Sequence, residues 1–267
     1  MFSNQSIAIT GAAGGIGRAI AEKCLSAGAK VAISDIDEDR VEQTASEIGA
    51  TAFVCDVGNE QSVIDFISSA EKAKGPIDMF VSNAGIGMTD MPGGHAAGGS
   101  NDSWEKSWQI NTMANIYASR ALLPDWIKRG EGRFVVTASA AGLLAQLGTA
   151  SYTVTKHSAL GFAEYMAMTH KDDGVKVHCI CPQYVKTNMT KGMKVVEEGP
   201  DKHIEASDVA DSLFAAIENN EFLVLPHPVI GKYFQHKAAN FDRYIGGMAK
   251  QRRFMDIGHM PNMEDKK

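Results

Sequence analysis

The chain has 267 residues, 44% of them apolar, enough to bury the core of one α/β domain without demanding two. Its 26 basic and 32 acidic residues leave a net charge of −6 and no basic run long enough to track phosphates, which argues against nucleic acid as a partner. No apolar stretch approaches the roughly 18 to 20 residues that cross a bilayer, and the first strand-like run begins almost at Met1, so a cytoplasmic location without a membrane span is expected.

Short β-branched runs alternate with amphipathic stretches. Strands are predicted over 6–10, 30–35, 51–55, 77–82, 132–138, 175–180 and 222–225, and helices near 15–27, 38–48, 60–72, 104–128, 150–170 and 207–218. Each crossover is long enough for a right-handed strand–helix–strand unit. The pattern therefore predicts one α/β domain over 1–267, a doubly wound sheet of seven mainly parallel strands with helices on both faces.

The first strand runs into Thr10-Gly11-Ala12-Ala13-Gly14-Gly15-Ile16-Gly17 and then a helix. Glycines there let the backbone approach a pyrophosphate, which the unpaired amides and dipole of a helix N-terminus attract. Such a turn alone is weak evidence, because a tight turn needs the same residues. The second strand ends in Asp35, 18 residues after Gly17, where a dinucleotide fold places the acid that binds the adenosine ribose hydroxyls. A 2′-phosphate roughly 5 Å from that carboxylate would cost about 3 kcal/mol at an effective dielectric of ~20. Gly14 and Ile36 offer no positive charge to relieve it, so the expected cofactor is NAD and not NADP. The lesser alternative for Asp35 is the N-cap of the next helix.

Further along, the glycine-rich stretch 86–101 follows a strand's carboxyl end and reads as a mobile loop at the rim of a site. Asn111 interrupts the helix predicted over 104–128, a poor helix former whose side chain could hold water or a backbone carbonyl. Ser139 ends the fifth strand, where its hydroxyl could hydrogen-bond a substrate oxygen. Tyr152 and Lys156 fall four residues apart on one helix face, where an ammonium beside a phenol, together with a positive nicotinium, would favour the phenolate and let tyrosine exchange a proton with an alcohol. Residues 186–206 form a second candidate lid. The tail 226–267 carries an aromatic and basic helical stretch (Tyr233, Phe234, Phe241, Tyr244) that reads as a docking helix or subunit contact in preference to a membrane-surface helix. The cysteines Cys24, Cys55, Cys179 and Cys181 lack metal or redox spacing and read as reduced core thiols, and His95, His157 and His203 lack ligand spacing, so no metal is expected.

Taken together, the glycine turn, Asp56 after the third strand, Ser82-Asn83-Ala84-Gly85 after the fourth, and Asn111, Ser139, Tyr152 and Lys156 make the chain resemble the short-chain dehydrogenase/reductase family to about residue 225. The resemblance implies a Rossmann-type three-layer fold with strand order 3-2-1-4-5-6-7 and a tetrad in which Tyr152 is the acid/base and Ser139 orients the carbonyl. It also implies that Lys156 binds the nicotinamide ribose and lowers the tyrosine pKa, and that Asn111 anchors a water relay. Asp56 and Val57 would meet the adenine; Asn83, Ala84 and Gly85 would line the cofactor cleft; Pro182 would belong to the cofactor site, and Val185 and Thr187 would hold the carboxamide. Pairing of the two long helices would give a homodimer or homotetramer. Two departures stand out: Ser82 replaces the family's usual Asn, and Gln183 follows Pro182 where glycine is usual, which puts that loop's geometry in question.

The substrate reading is a secondary alcohol or ketone in a largely apolar pocket lined by Leu143, Leu144, Gln146, Tyr184, Met189 and Met193. Two alternatives stay open: an NADPH-dependent carbonyl reductase, against which Asp35 argues, and a non-catalytic NAD-binding sensor or scaffold.

Overall fold

The computed structural model describes residues 2–91, 94–193 and 195–254. Seven strands form one sheet: β1 (Ser6–Thr10), β2 (Lys30–Asp35), β3 (Thr51–Val54), β4 (Ile77–Ser82), β5 (Gly132–Thr137), β6 (Val175–Ile180) and β7 (Leu223–Val224). Their order is β3-β2-β1-β4-β5-β6-β7, as the resemblance implies, and every neighbouring pair is parallel. A parallel sheet is covered on both faces, so its strands are apolar on both sides. In β1, Ile7 and Ile9 join one buried cluster and Ala8 the other; in β5, Val135 faces the first and Phe134 and Val136 the second.

Three helices cover one face, α1 (Gly15–Ser26), α2 (Glu38–Ile48) and α8 (Ala206–Asn219), contributing Ile20, Val41 and Leu213 to the cluster beneath them. The other face carries α3 (Glu60–Lys74), α5 (Ala114–Arg129) and α7 (Ala150–Thr169), whose Phe66, Trp126 and Met166 pack with Phe80 and Phe134. No helix among the described residues is long and apolar enough to cross a membrane.

Four features differ from the sequence reading. The helix predicted over 104–128 is three pieces: α4 (Asn101–Trp108), capped by the Ser100 hydroxyl, a single π turn (Gln109–Met113), and α5. The loop 86–101 is not open throughout, because Met88, Thr89 and Asp90 are buried against the body of the protein. A short helix α6 (Ala140–Leu143) follows β5, pressed so close to α7 that a Cβ on Gly142 would lie 2.6 Å from the Lys156 carbonyl. The tail folds back as α9 (Val229–Ala239) and α10 (Phe241–Arg252), while its residues 255–267 lie outside the described residues.

Candidate active site

In open α/β sheets the ligand crevice lies beyond the carboxyl ends of the strands, and the candidate residues gather there. After β1, Gly11 adopts a left-handed backbone (φ 62°), and a Cβ on it would lie 2.6 Å from the Ala84 Cα. A Cβ on Gly17 would lie 2.6 Å from the Gly11 carbonyl, so both glycines are required by close packing. The α1 N-cap is Gly14, with no side chain capping it, and this leaves the first-turn amides free for an anion. Gly15 faces Thr187, whose methyl would be 3.1 Å from a Cβ there, so the segment after β6 folds over the glycine turn. Ile16 packs on the core under α1.

Asn83 holds the turn from behind: its amide donates to the carbonyls of Thr10 (3.1 Å) and Gly11 (2.9 Å). The buried Thr10 hydroxyl accepts from the Asn83 and Ala84 amides (3.1 and 3.2 Å), so Thr10 joins two strand ends although sequence reasoning gave it no site role. Asp35 accepts from the Ala13 amide (3.2 Å), which puts its carboxylate beside the same turn. Ile36 is exposed, Asp56 is exposed and accepts from the Gly58 amide, and the Val57 side chain is buried in the core. Sequence reasoning also missed Arg40 in α2, whose guanidinium would lie 3.3 Å from a Cβ on Gly14. A positive charge therefore stands at this turn after all, supplied from the next helix.

The second cluster sits at the ends of β4, β5 and β6. Asn111, buried in the π turn, accepts from the Ile86 amide (2.9 Å) and donates to the Ile86 carbonyl (2.9 Å) and the Thr155 hydroxyl (3.0 Å). This one side chain satisfies both backbone groups of Ile86 and ties the loop after β4 to α7. A Cβ on Gly85 would lie 3.1 Å from both the Asn111 Oδ1 and the Lys156 Nζ, so the absence of a side chain at 85 lets the three groups converge. The Lys156 ammonium is buried, donates to the Thr137 carbonyl (2.9 Å) and lies 5.6 Å from the Tyr152 ring centre. Burial lowers its pKa to about 8.

Tyr152 is hydrogen-bonded to the Ser139 hydroxyl, which in turn accepts from the Ala141 amide (3.1 Å) at the start of α6. Burial pushes the phenol above its ordinary value near 10, and the Ser139 hydrogen bond only partly opposes this. In the protein by itself the phenol is therefore held in its neutral form.

The helix that carries Tyr152 and Lys156 is anchored by Asp90, a residue without a role in the sequence reading. Its carboxylate accepts from the Ala150 amide (2.6 Å) at the first turn of α7, and its own amide donates to the Gly148 carbonyl (2.9 Å). A carboxylate at a helix N-terminus is favourably placed in the dipole field.

Beyond Ser139 opens a cavity of about 1140 Å³ that includes Leu144, Gln146, Tyr184, Met189 and Met193 in its lining. Leu143 does not face it: that side chain lies in the core, and its carbonyl accepts from Lys237 (2.7 Å). The unusual Gln183 needs no left-handed backbone; its amide group donates to Asp201 (3.0 Å) along the cavity wall. The Pro182 carbonyl accepts from the Ala140 amide (2.8 Å), Val185 is buried, and a Val185–Ile204 bridge closes the base of the 186–206 segment. The far wall is α9 and α10, so the tail completes a pocket within its own chain, a role the reading as a docking helix or subunit contact did not include. All four cysteines are buried free thiols.

A family model described as short chain dehydrogenase matches residues 5–197. A 3beta-hydroxysteroid dehydrogenase 2 from Eggerthella lenta is 32% identical over 204 residues, covering 74% of this chain and 77% of that protein. A meso-2,3-butanediol dehydrogenase from Serratia marcescens is 32% identical over 198 residues, covering 72% and 75% respectively. Among solved structures, a short-chain dehydrogenase/reductase from Burkholderia phymatum in complex with NAD superposes with a TM-score of 0.80 at 26% identity, covering 91% of this chain and 96% of that one.

Proposed function

The chain belongs to the short-chain dehydrogenase family, and we propose that it is a single-domain, NAD-dependent oxidoreductase interconverting a secondary alcohol and its ketone. The observation that carries this reading is the convergence of Lys156 and Asn111 on Gly85, with Lys156 beside a Tyr152 hydrogen-bonded to Ser139, the residue of the four that lines the cavity. The glycine turn beside them suits a dinucleotide: the uncapped α1 N-terminus offers amide donors to a pyrophosphate, and Asp35 stands where ribose hydroxyls would be bound. Gly11, Gly14, Gly15, Ile16, Gly17, Asp35, Asn83, Ala84 and Gly85 would hold it on one side, Val185 and Thr187 on the other. When bound, the nicotinamide supplies the acceptor or donor for the hydride at the carbinol carbon.

The protein's own residues handle the proton. In alcohol oxidation Tyr152 takes the hydroxyl proton as the C–H hydride leaves, and in ketone reduction it returns that proton to the oxygen. Ser139 donates to the substrate oxygen and fixes its position. Lys156 carries its charge below about pH 8 and favours the phenolate, while Asn111 holds the Ile86 backbone that packs beside it. NAD is favoured over NADP by the repulsion a 2′-phosphate would meet from Asp35, which is partly buried at the turn; Arg40 is exposed, where solvent screens its attraction for a 2′-phosphate. Tyr165 and Met168 on α7, each 66% exposed, suit a face covered by a second copy in a homodimer or homotetramer, and a cytoplasmic setting fits the absence of a membrane-spanning helix among the described residues.

The test is to follow NADH formation over aliphatic, aryl and fused-ring secondary alcohols with NAD and NADP in parallel. Turnover with NAD at least tenfold faster than with NADP is expected. A preference for NADP would transfer the assignment to Arg40 and the carbonyl-reductase direction, and no turnover with either cofactor would favour a binding protein.

A further inference from the structure

The cavity beyond Ser139 is larger than a small alcohol needs, since about 1140 Å³ lies above the usual range for drug-sized ligands. Its body is apolar, built from Leu144, Met189, Met193, Ile230, Tyr244 and Met248. Its polar groups are unequally committed. Asp201 already accepts from Gln183 (3.0 Å) and from the Tyr233 hydroxyl (3.0 Å), so its charge is used within the protein. Lys237 in the last turn of α9 donates to the Leu143 carbonyl (2.7 Å) and lies over the rings of Phe241 and Tyr244. Arg243 is different. Its backbone amide completes the α10 cap on Asn240, the residue lines the cavity at its exposed rim, and among the described residues its guanidinium has no carboxylate or carbonyl partner.

The charge around it points the same way. Residues 229–254 hold six basic side chains (Lys232, Lys237, Arg243, Lys250, Arg252 and Arg253) against one acidic, Asp242, in a chain whose net charge is −6. The wall that closes the cavity is thus a positive island on an acidic protein, an arrangement that draws anions to that end.

We propose that α9 and α10 make this cavity a site for an amphipathic oxyanion: an elongated, largely apolar secondary alcohol or ketone whose far end carries a carboxylate bound by Arg243. The proposal rests on the oxidoreductase reading for the end at Ser139 and Tyr152, and on Arg243 alone for the other end. A guanidinium matches a carboxylate with two parallel hydrogen bonds, which lysine cannot reproduce.

The probes are (ω−1)-hydroxy carboxylic acids of 8 to 16 carbons and a rigid four-ring 3-hydroxy carboxylate, each paired with its primary carboxamide. Binding is measured by calorimetry on the protein without cofactor, and turnover by NADH absorbance. For the length that spans the cavity, the acid is expected to bind and turn over about tenfold better than its amide, a ratio typical of one partly exposed charge-assisted pair. In Arg243→Gln the ratio should collapse to about one, and Arg243→Lys should keep only part of it. Raised salt should shrink the ratio in the wild type. Equal handling of acid and amide throughout the series, or a ratio that survives in Arg243→Gln, overturns the proposal. So does Arg243-dependent attachment to anionic lipid vesicles with no acid preference, which would assign the basic wall to a membrane surface. Acids that bind through Arg243 without any alcohol being oxidised would leave this site standing and defeat the oxidoreductase reading. Brisk oxidation without acid preference would do the reverse.

Discussion

Replacing Asn111 by alanine removes three hydrogen bonds in one step, two to the backbone of Ile86 and one to Thr155, at a position 2% exposed. Each bond contributes about 1 kcal/mol net, and backbone groups left without a partner add to the loss where water reaches them poorly. Ile86 is partly buried, so water recovers some of it; the expected destabilisation is about 2–4 kcal/mol. With a urea slope of order 3 kcal/mol/M, the midpoint should fall by roughly 1 M at unchanged slope. The same variant should lose turnover, because freeing Ile86 releases Gly85, the residue that packs against Lys156. Asn111→Asp keeps the acceptor for the Ile86 amide but sets a second lone-pair oxygen against the Ile86 carbonyl, so it should be destabilised as well. Urea melts with fluorescence detection, read beside NADH-linked rates, measure both. A midpoint within about 0.2 M of wild type in Asn111→Ala, on the same slope, would refute the claim that this side chain orders the end of β4.

Asp90→Ala should cost about 2–3 kcal/mol, from a charge-assisted hydrogen bond at a nearly buried site plus the lost dipole interaction, and should lower the melting temperature by roughly 5–10 °C. Asp90→Asn keeps the acceptor and should recover more than half of this; equal losses in the two variants would contradict the cap. For Lys156 the folded pKa, about 8, lies below the unfolded 10.5, so the unfolded chain binds the extra proton between those values and stability rises with pH through that window. Relative to Lys156→Met, the wild type should therefore gain about 2 kcal/mol between pH 7.5 and 9.5, measured by denaturant melts at both values; a flat difference would show that the ammonium is not desolvated.

The strands, the glycine turn and Asp35 were legible because local pattern determines them: short runs that are apolar on both faces, as in β1 and β5, and a turn that only glycine allows at 11. Ser139, Tyr152 and Lys156 were legible as residue types at fixed spacing. What escaped depends on partners distant in sequence. Asp90 caps a helix whose first amide lies 60 residues later, and Lys237 reaches a carbonyl 94 residues earlier, so neither leaves a local signature. The π turn at Asn111 adds one residue to a helical pattern and keeps its hydropathy, which hides it from periodicity. The amphipathic tail was legible as helix, but a stripe of aromatics does not say which surface it meets. Arg40 was overlooked because the sequence search for positive charge stopped at Ile36, whereas the first turn of α2 carries the guanidinium back to Gly14. The expected acidity of Tyr152 assigns part of the stabilisation to a bound nicotinium; in the protein alone, burial of the phenol outweighs the hydrogen bond that favours its ionised form.

The proton-transfer role of Tyr152 is tested most directly by Tyr152→Phe, with NAD affinity and the rate of alcohol oxidation measured on the same preparation. Loss of the hydroxyl should leave dinucleotide binding within about twofold while the rate falls by about 10²–10⁴, the range for removing a general acid/base. A variant that binds NAD and oxidises its alcohol at the wild-type rate would contradict the account.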